Sequence, residues 1–249
     1  ECASRTDLTI FDAQKDLLTA LKATGKPVVL VNFSGRSTVM NWENDNFSAI
    51  LNVWFGGSEA GDAICDVLFG DKVPSGRLTV SMPKSVGQLP LYYNHLNTGR
   101  PQPEGRPFEK FRSNYIDIDN NPLYPFGYGL SYTTFKYGPL QLDANSMTAD
   151  GQIKVTVPIT NTGNRDADEV VQLYLNDVAA SIARPVKELK DFARISLRAG
   201  ETRNVTFTIT AEKLKFYNSE LQYVCEPGLF KVMVGPNSRD TQTATFTLQ

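Results

Sequence analysis

Apolar side chains in the first third of the chain recur at helical spacing and then in short unbroken runs. Residues 8–23 place leucine, isoleucine and alanine side chains on one helical face, and Gly25 follows as a residue that ends helices. Residues 27–33 and 49–55 are continuous apolar runs. Such runs are typical of strands that a parallel sheet buries on both faces. This part of the chain therefore predicts alternating helices and parallel strands.

Two loops follow these predicted strands at their carboxyl ends. Ligands bind at this edge of open α/β sheets, so we interpret residues 34–37 as a candidate wall of a site; the alternative is a plain turn. After the second strand a glycine pair forms a turn, and Ser58 is predicted to cap a helix that runs from Glu59 to Gly70. The dipole of that helix accounts for Glu59 without a catalytic role.

The middle of the chain is poor in regular periodicity. Residues 74–83 predict a turn and an edge strand bracketed by prolines, and residues 84–120 are rich in Pro, Gly, Asn and aromatic residues. An irregular segment of this length usually has a function or wraps a neighbouring unit. It contains His95, the only histidine of the chain, which we interpret as a structural group; the alternative is a catalytic histidine.

Residues 121–135, here called the joint, separate two different patterns. They combine five aromatic residues with two glycines and two prolines, so we expect large rings to pack around a tightly turning backbone. Downstream, short apolar runs separated by polar turns predict a β-sandwich of immunoglobulin or fibronectin III type, with strands at 153–159, 169–175, 188–197, 203–209 and 229–234. The chain downstream of the joint has no acidic cluster. By itself it would therefore be interpreted as a structural or binding module.

Composition narrows the classes of partner. The net charge is -2, from 25 Lys and Arg against 27 Asp and Glu, so the chain has no basic field for nucleic acid. No stretch is long and apolar enough to span a membrane. The three cysteines are too scattered for a disulfide framework or a CxxC metal site. We expect three free thiols, no metal and no cofactor; the alternative is one bridged pair in an oxidising compartment.

The joint also carries a family resemblance. The run Pro-Phe-Gly-Tyr-Gly-Leu-Ser-Tyr-Thr at 125–133, before a β-rich tail, resembles the C-terminal half of glycoside hydrolase family 3. Further similar segments extend the resemblance over essentially the whole chain, at residues 1–9, 26–36, 54–59, 69–71, 74–78, 93–101 and 184–192. The periplasmic bacterial β-glucosidases of the family are the most similar branch.

The resemblance implies a domain organisation. Family members of this branch consist of a (β/α)8 barrel, an α/β sandwich domain and a fibronectin type III-like domain. Residues 1–103 would be the C-terminal portion of the α/β sandwich domain, and residues 104–135 an irregular wrapping segment with the joint. Residues 136–249 would be an all-β fibronectin type III-like sandwich. Because no methionine or signal peptide opens the sequence, we expect it to be the later part of a longer protein.

The resemblance also implies a mechanism with two carboxylates. Retaining enzymes of this kind use one carboxylate as nucleophile and the other as general acid and base. The nucleophile would be an aspartate of the barrel, outside these residues. The catalytic acid/base would be Glu1, which stands just before the Ser-Arg-Thr-Asp run at 4–7. The stretch Cys2-Ala3-Ser4 stands where relatives tend to have small residues, which is a mild departure.

Two functions stay open at this point. The first is the C-terminal part of a retaining, exo-acting β-glucosidase that removes terminal β-D-glucosyl residues, in the periplasm or secreted. The second is a non-catalytic carbohydrate-binding or scaffold module. The implied partners are a β-linked oligosaccharide or glucoside substrate and the barrel portion of the same protein, and a homodimer is left open. The residues that precede Glu1 in the complete protein discriminate the two functions.

Overall fold

The computed structural model describes residues 5–103, 106 and 108–249. They divide into two compact units, each discontinuous in sequence. The first unit contains the chain up to Lys72 together with residues 80–91 and 120–125. The second unit contains the remaining segments, 73–79, 92–119 and 126–249. One boundary between the units thus falls within the joint, and the domain bounds given above stay a prediction.

The first unit is built from short helices around a parallel strand pair. Its elements are α1 (Asp12–Ala23), β1 (Val29–Asn32), α2 (Asn41–Asn46), β2 (Ala49–Asn52), α3 (Ala60–Phe69) and a 3-10 turn (Val86–Gln88). β1 and β2 pair in parallel, from Val29 with Ala49 to Asn32 with Asn52. The predicted strands are confirmed in type but are shorter than their apolar runs. No helix in the described ranges has the length and apolar character that a membrane span requires.

Helix α2 was missed by the sequence analysis because its residues lack an apolar repeat. It is held instead by Glu43, whose side chain is 2% exposed and whose Oε1 accepts a hydrogen bond of 2.6 Å from Lys15 Nζ of α1. The same ammonium group lies 4.0 Å from the centroid of the Trp42 ring. A buried carboxylate is tolerated only when it is paired, so Lys15 is what allows Glu43 to face inward.

The prediction of an edge strand at 74–83 is wrong. Met82 forms a single bridge with Tyr124 within the first unit. Leu78 belongs to the second unit, where its amide donates to Tyr128 O and its carbonyl accepts from the amide of Gly127. The segment is divided between two units, so it has no continuous partner strand along which a ladder could form.

The second unit is a sandwich of two sheets, which confirms the predicted all-β fold. A five-stranded sheet has the order β5-β13-β12-β7-β8; in the other sheet β6 pairs with β3, β4 and β9. A hairpin, β10–β11, and a short helix, α4, complete the unit. The bounds are β3 (Phe135–Tyr137), β4 (Gln141–Leu142), β5 (Ser146–Met147), β6 (Gln152–Asn161), β7 (Ala167–Asp177), β8 (Glu188–Leu197), β9 (Thr202–Thr210), α4 (Ala211–Leu214), β10 (Phe216–Tyr217), β11 (Tyr223–Val224), β12 (Gly228–Gly235) and β13 (Gln242–Leu248).

The core of the sandwich follows directly from strand alternation. In β6 every second residue is buried, so Ile153, Val155, Val157 and Ile159 all lie in one hydrophobic cluster with no exposed surface. Pleating places alternate side chains on opposite faces, and the face with the apolar residues is driven inward. The long alternating strands were therefore predictable from sequence.

The outer face of β7 is covered by the joint and the irregular segment. The Tyr93 ring stacks on Phe126 with centroids 4.2 Å apart and meets the fully buried Tyr174 edge-on at 5.8 Å. Gln172 Nε2 donates to the carbonyl oxygens of Gly127 (3.1 Å) and Pro236 (2.6 Å). One ring of the joint, Phe126, therefore packs beside the turn at Gly127, in the way that the sequence predicts for the rings of this segment.

A buried ionic network ties residues 73–79 to the sandwich. Arg77 Nη2 lies 2.5 Å from Glu169 Oε2, and these side chains are 9% and 2% exposed. The Tyr137 hydroxyl donates to the other carboxylate oxygen of Glu169 at 2.7 Å. Burial raises the pKa of Glu169 above its ordinary value, although the Arg77 charge opposes the shift. Burial likewise raises the pKa of Tyr137, which keeps its hydroxyl protonated as the donor.

Candidate functional site

The carboxyl ends of β1 and β2 meet at one edge of the first unit. The parallel register pairs Asn32 with Asn52, the last residue of each strand. Asn32 Nδ2 donates to Asn52 Oδ1 at 2.8 Å, so the amide side chains join the two strand ends. Both loops that leave the strands therefore start at the same place, the position where open α/β sheets bind ligands. We call this region, residues 33–37 and 53–59 with residues 5–11, the carboxyl edge.

The loop after β1 is fixed internally and contacts the loop after β2. Ser34 Oγ donates to the carbonyl oxygen of Arg36 at 2.7 Å, which sets the turn. A side-chain carbon at Gly35 would come within 2.9 Å of the Phe55 ring, so only glycine allows the present approach. Phe33 and Phe55 are 63% and 87% exposed. The carboxyl edge thus presents two open aromatic rings.

The segment that follows Glu1 is held at the same edge. Arg36 Nη1 donates to the backbone carbonyl of Arg5 at 2.6 Å. The Arg5 guanidinium lies 3.9 Å from the centroid of the Phe11 ring. Thr9 forms a parallel bridge with Val39. Residues 34–37 therefore line this edge, and Arg36 binds the backbone of the segment at residues 5–11. Glu1 itself lies outside the described residues.

Asp7 is a carboxylate that stays ionised. Its oxygens accept hydrogen bonds from the amide (2.8 Å) and the hydroxyl (2.9 Å) of Thr9. These bonds, the backbone bond foremost, hold the pKa of Asp7 below its ordinary value. A general acid must carry a proton near neutral pH. Because its hydrogen bonds favour the ionised form, Asp7 is a poor candidate for protonating a leaving group.

The start of α3 corrects one prediction. Ser58 was predicted to cap a helix beginning at Glu59, but α3 begins at Ala60 and no side chain caps it. The Ala60 amide donates to Gly57 O, so Ser58 lies inside a turn and its hydroxyl is not at the capping position. Glu59 is exposed at the position before the first turn.

His95 lies in the second unit and has backbone partners. Its Nδ1 lies 2.9 Å from Leu96 O, and its carbonyl accepts a hydrogen bond from the amide of Val186. These contacts support the structural interpretation of the histidine. Within the described part of the chain, no three His, Cys, Asp or Glu side chains are grouped so that they could hold a metal ion.

The loop at 34–37 is predictable from the sequence, but the contacts that organise it are not. The bond between Arg36 and Arg5 spans 31 positions, and the contact between Gly35 and Phe55 joins two different loops. The one available signal was topological: parallel strands end at one edge, so residues that follow them come together.

Two family models match the chain. The glycosyl hydrolase family 3 C-terminal domain matches residues 1–132, and the fibronectin type III-like domain matches residues 169–238. The second match lies within the sandwich unit, and the first contains the carboxyl edge.

Named relatives agree with these matches. The chain is 51% identical to the periplasmic β-glucosidase of Salmonella typhimurium, over 100% of this chain and 32% of that protein. It is 43% identical to a β-xylosidase of Formosa agariphila, over 100% of this chain and 34% of the relative. The chain thus spans about a third of the length of these curated relatives.

A solved structure shows the same fold. The crystal structure of a β-glucosidase from Listeria innocua in complex with isofagomine superposes with a TM-score of 0.92 at 43% identity. The match covers 97% of this chain and 34% of the other chain. With more than half of its residues matched by the family model, the chain belongs to glycosyl hydrolase family 3, of which it carries the C-terminal domain and a fibronectin type III-like domain.

Proposed function

We propose that the chain is the C-terminal part of a retaining, exo-acting β-glucosidase that removes terminal β-D-glucosyl residues. The observation that carries the proposal is the 51% identity, along the whole chain, to a protein named periplasmic β-glucosidase. The same name supports a periplasmic or secreted location. The relative named β-xylosidase supports xylose as the alternative terminal sugar.

An upstream portion of the same protein is part of this proposal. The chain covers 32% of the Salmonella relative, so about two thirds of that enzyme has no counterpart here. The first unit also leaves apolar side chains uncovered: Val29 of β1 is 50% exposed, Leu17 of α1 is 59% exposed, and α3 has no buried residue. Parallel sheets are normally covered on both faces. Further chain that extends and covers this sheet would bury these side chains.

The proposed chemistry divides two carboxylates between the two portions. An upstream aspartate would attack the anomeric carbon, and Glu1 would protonate the leaving group and then activate water. Asp7, the carboxylate closest in sequence at the carboxyl edge, is held ionised by Thr9. Glu1 is therefore the better candidate for the proton. Arg36 would help to place Glu1, since it holds the backbone at Arg5, four residues downstream.

The first prediction concerns the chain by itself. The purified 249-residue chain should show no turnover of 4-nitrophenyl β-glucoside or β-xyloside, whereas the complete enzyme should hydrolyse at least one of them. One carboxylate cannot both attack the anomeric carbon and protonate the leaving group. The ratio of the two activities in the complete enzyme assigns the sugar. Turnover by the chain alone, or none by the complete enzyme, would contradict the proposal.

A further inference from the structure

An open cleft lies at one end of the sandwich, beside the β10–β11 hairpin. It has a volume of about 440 Å3 and is lined by the turn between β5 and β6, the start of α4, Lys215 and Cys225. Its polar side chains include the carboxylates of Asp150 and Glu212 and the amide of Gln152. The cleft thus offers hydrogen-bond donors and acceptors on one surface.

Two exposed tyrosines continue this surface along the hairpin. Tyr217 and Tyr223 are direct partners in the register, with ring centroids 4.9 Å apart. They are 62% and 45% exposed. Lys215 Nζ, which lines the cleft, lies 5.5 Å from the centroid of the Tyr223 ring. Tyr223 therefore stands beside a residue of the cleft, and Tyr217 packs against Tyr223.

The opposite face of the hairpin already attaches it to the sandwich. Phe216 is 4% exposed and carries the Arg184 guanidinium 4.4 Å from its ring centroid. A cross-strand aromatic pair does stabilise a hairpin with such short strands. Hairpin stability alone, however, does not require that the rings be left open beside a polar cleft.

The charges of the cleft restrict its ligand. The lining residues include two carboxylates and one ammonium group, and Lys215 Nζ is paired with Glu212 Oε2 at 2.7 Å. A net negative lining disfavours phosphates, nucleotides and acidic polymers. Burial raises the pKa of Cys225, so its thiol is a neutral lining group and not a reactive thiolate. A neutral ligand rich in hydroxyl groups, with apolar C–H faces for the rings, fits these features.

We propose that the cleft and the Tyr217–Tyr223 pair form a binding site for a neutral oligosaccharide. The rings would pack against the C–H face of sugar units, and Asp150, Gln152 and Glu212 would accept and donate hydrogen bonds to their hydroxyl groups. The site would hold a chain of sugars at the sandwich unit without hydrolysing it. The inference concerns binding by the second unit, so its test requires no catalytic activity.

The test is a titration of the 15N-labelled 249-residue chain with cellotetraose, xylotetraose and maltotetraose, followed by amide chemical shifts. At least one of these sugars should shift amides confined to residues 149–152, 210–215 and 217–225. Replacing both rings, Tyr217→Ala with Tyr223→Ala, should weaken binding at least about fivefold, because ring packing contributes beyond the buried area.

Tyr92→Ala is the matched control, because Tyr92 is 64% exposed in the same unit but lies outside the site. It should leave the dissociation constant unchanged. If the double variant unfolds, the amide chemical-shift changes of the unaltered protein still test the proposal. The proposal is overturned if no sugar shifts these amides, or if shifts persist unchanged in a folded double variant. It is also overturned if the double variant changes only self-association of the chain, which would make the tyrosines a contact between copies.

Discussion

Glu169 depends on a partner that no local sequence pattern reveals. It shares the inward face of β7 with Val171 and Leu173, so strand alternation could have marked it as a buried acid. Its partner Arg77 lies 92 positions away in a segment with no regular structure. The sequence therefore predicts that the Glu169 side chain points inward. It does not predict the ion pair with Arg77, because that pair depends on where an irregular segment packs.

We expect Arg77→Met to lower the free energy of unfolding of the sandwich unit by about 3–5 kcal/mol, because it leaves a buried carboxylate without its cation. Arg77→Met combined with Glu169→Leu should recover most of the loss, since no charge then stays buried. Urea unfolding of the two variants measures both changes. If the single variant matches the unaltered protein, the ion pair does not stabilise the fold.

The pH dependence of the same variant follows from Glu169. Burial already raises its pKa, and removing the Arg77 charge, which opposes that shift, raises it further. A carboxyl whose folded pKa lies above its unfolded pKa costs stability above the unfolded pKa, and the cost disappears as falling pH protonates both states. The deficit of Arg77→Met should therefore shrink as the pH falls from neutral toward the ordinary pKa of a glutamate. A deficit that grows over this range would contradict the assignment.

At the scale of elements, long strands were predictable and short elements were not. β6 places an apolar residue at every second position from Ile153 to Ile159, which is typical of a half-buried strand. β1 and β2 have four residues each, although their apolar runs extend further. The extra residues form the loops of the carboxyl edge, where Phe33 and Phe55 are exposed. Apolar character alone does not distinguish a buried strand from an open rim.

The joint offers a prediction at this scale. Gly127 has a φ of 81°, and a side-chain carbon there would lie 2.0 Å from Gln172 Oε1. Gly127→Ala should therefore lower the free energy of unfolding by clearly more than about 1 kcal/mol. The added carbon strains the backbone and also clashes with the Gln172 side chain, which donates hydrogen bonds to the carbonyl oxygens of Gly127 and Pro236. Thermal or urea unfolding measures the loss.

Gly200→Ala is the matched control for the joint. Gly200 has a φ of 78° in the same unit, but nothing lies within 4 Å of the added carbon. Its variant should show only the cost of backbone strain, about 1 kcal/mol. Equal losses in the two variants would mean that the hydrogen bonds of Gln172 do not fix the joint.

At the scale of the whole molecule, the two units differ in how far they bury their own apolar side chains. The sandwich buries its alternating strands in one hydrophobic cluster. In contrast, α3 of the first unit buries no residue. The family resemblance in the sequence places the end of an α/β domain before a fibronectin type III-like domain, and the bounds that it implies stay a prediction. In the proposed mechanism the nucleophile lies upstream of Glu1, so neither the sequence nor the fold of this chain determines the distance between the two carboxylates.

The role of Glu1 as acid/base is tested most directly by leaving-group dependence in the complete enzyme. Glu1→Ala should depress turnover strongly for aryl β-glucosides with poor leaving groups, which need a proton, and least for nitrophenolates, which do not. Azide should restore the rate on activated substrates by replacing the attacking water. Glu59→Ala, an exposed glutamate at the carboxyl edge, should show no such dependence. An equal loss for good and poor leaving groups in Glu1→Ala, without rescue by azide, would contradict the assignment.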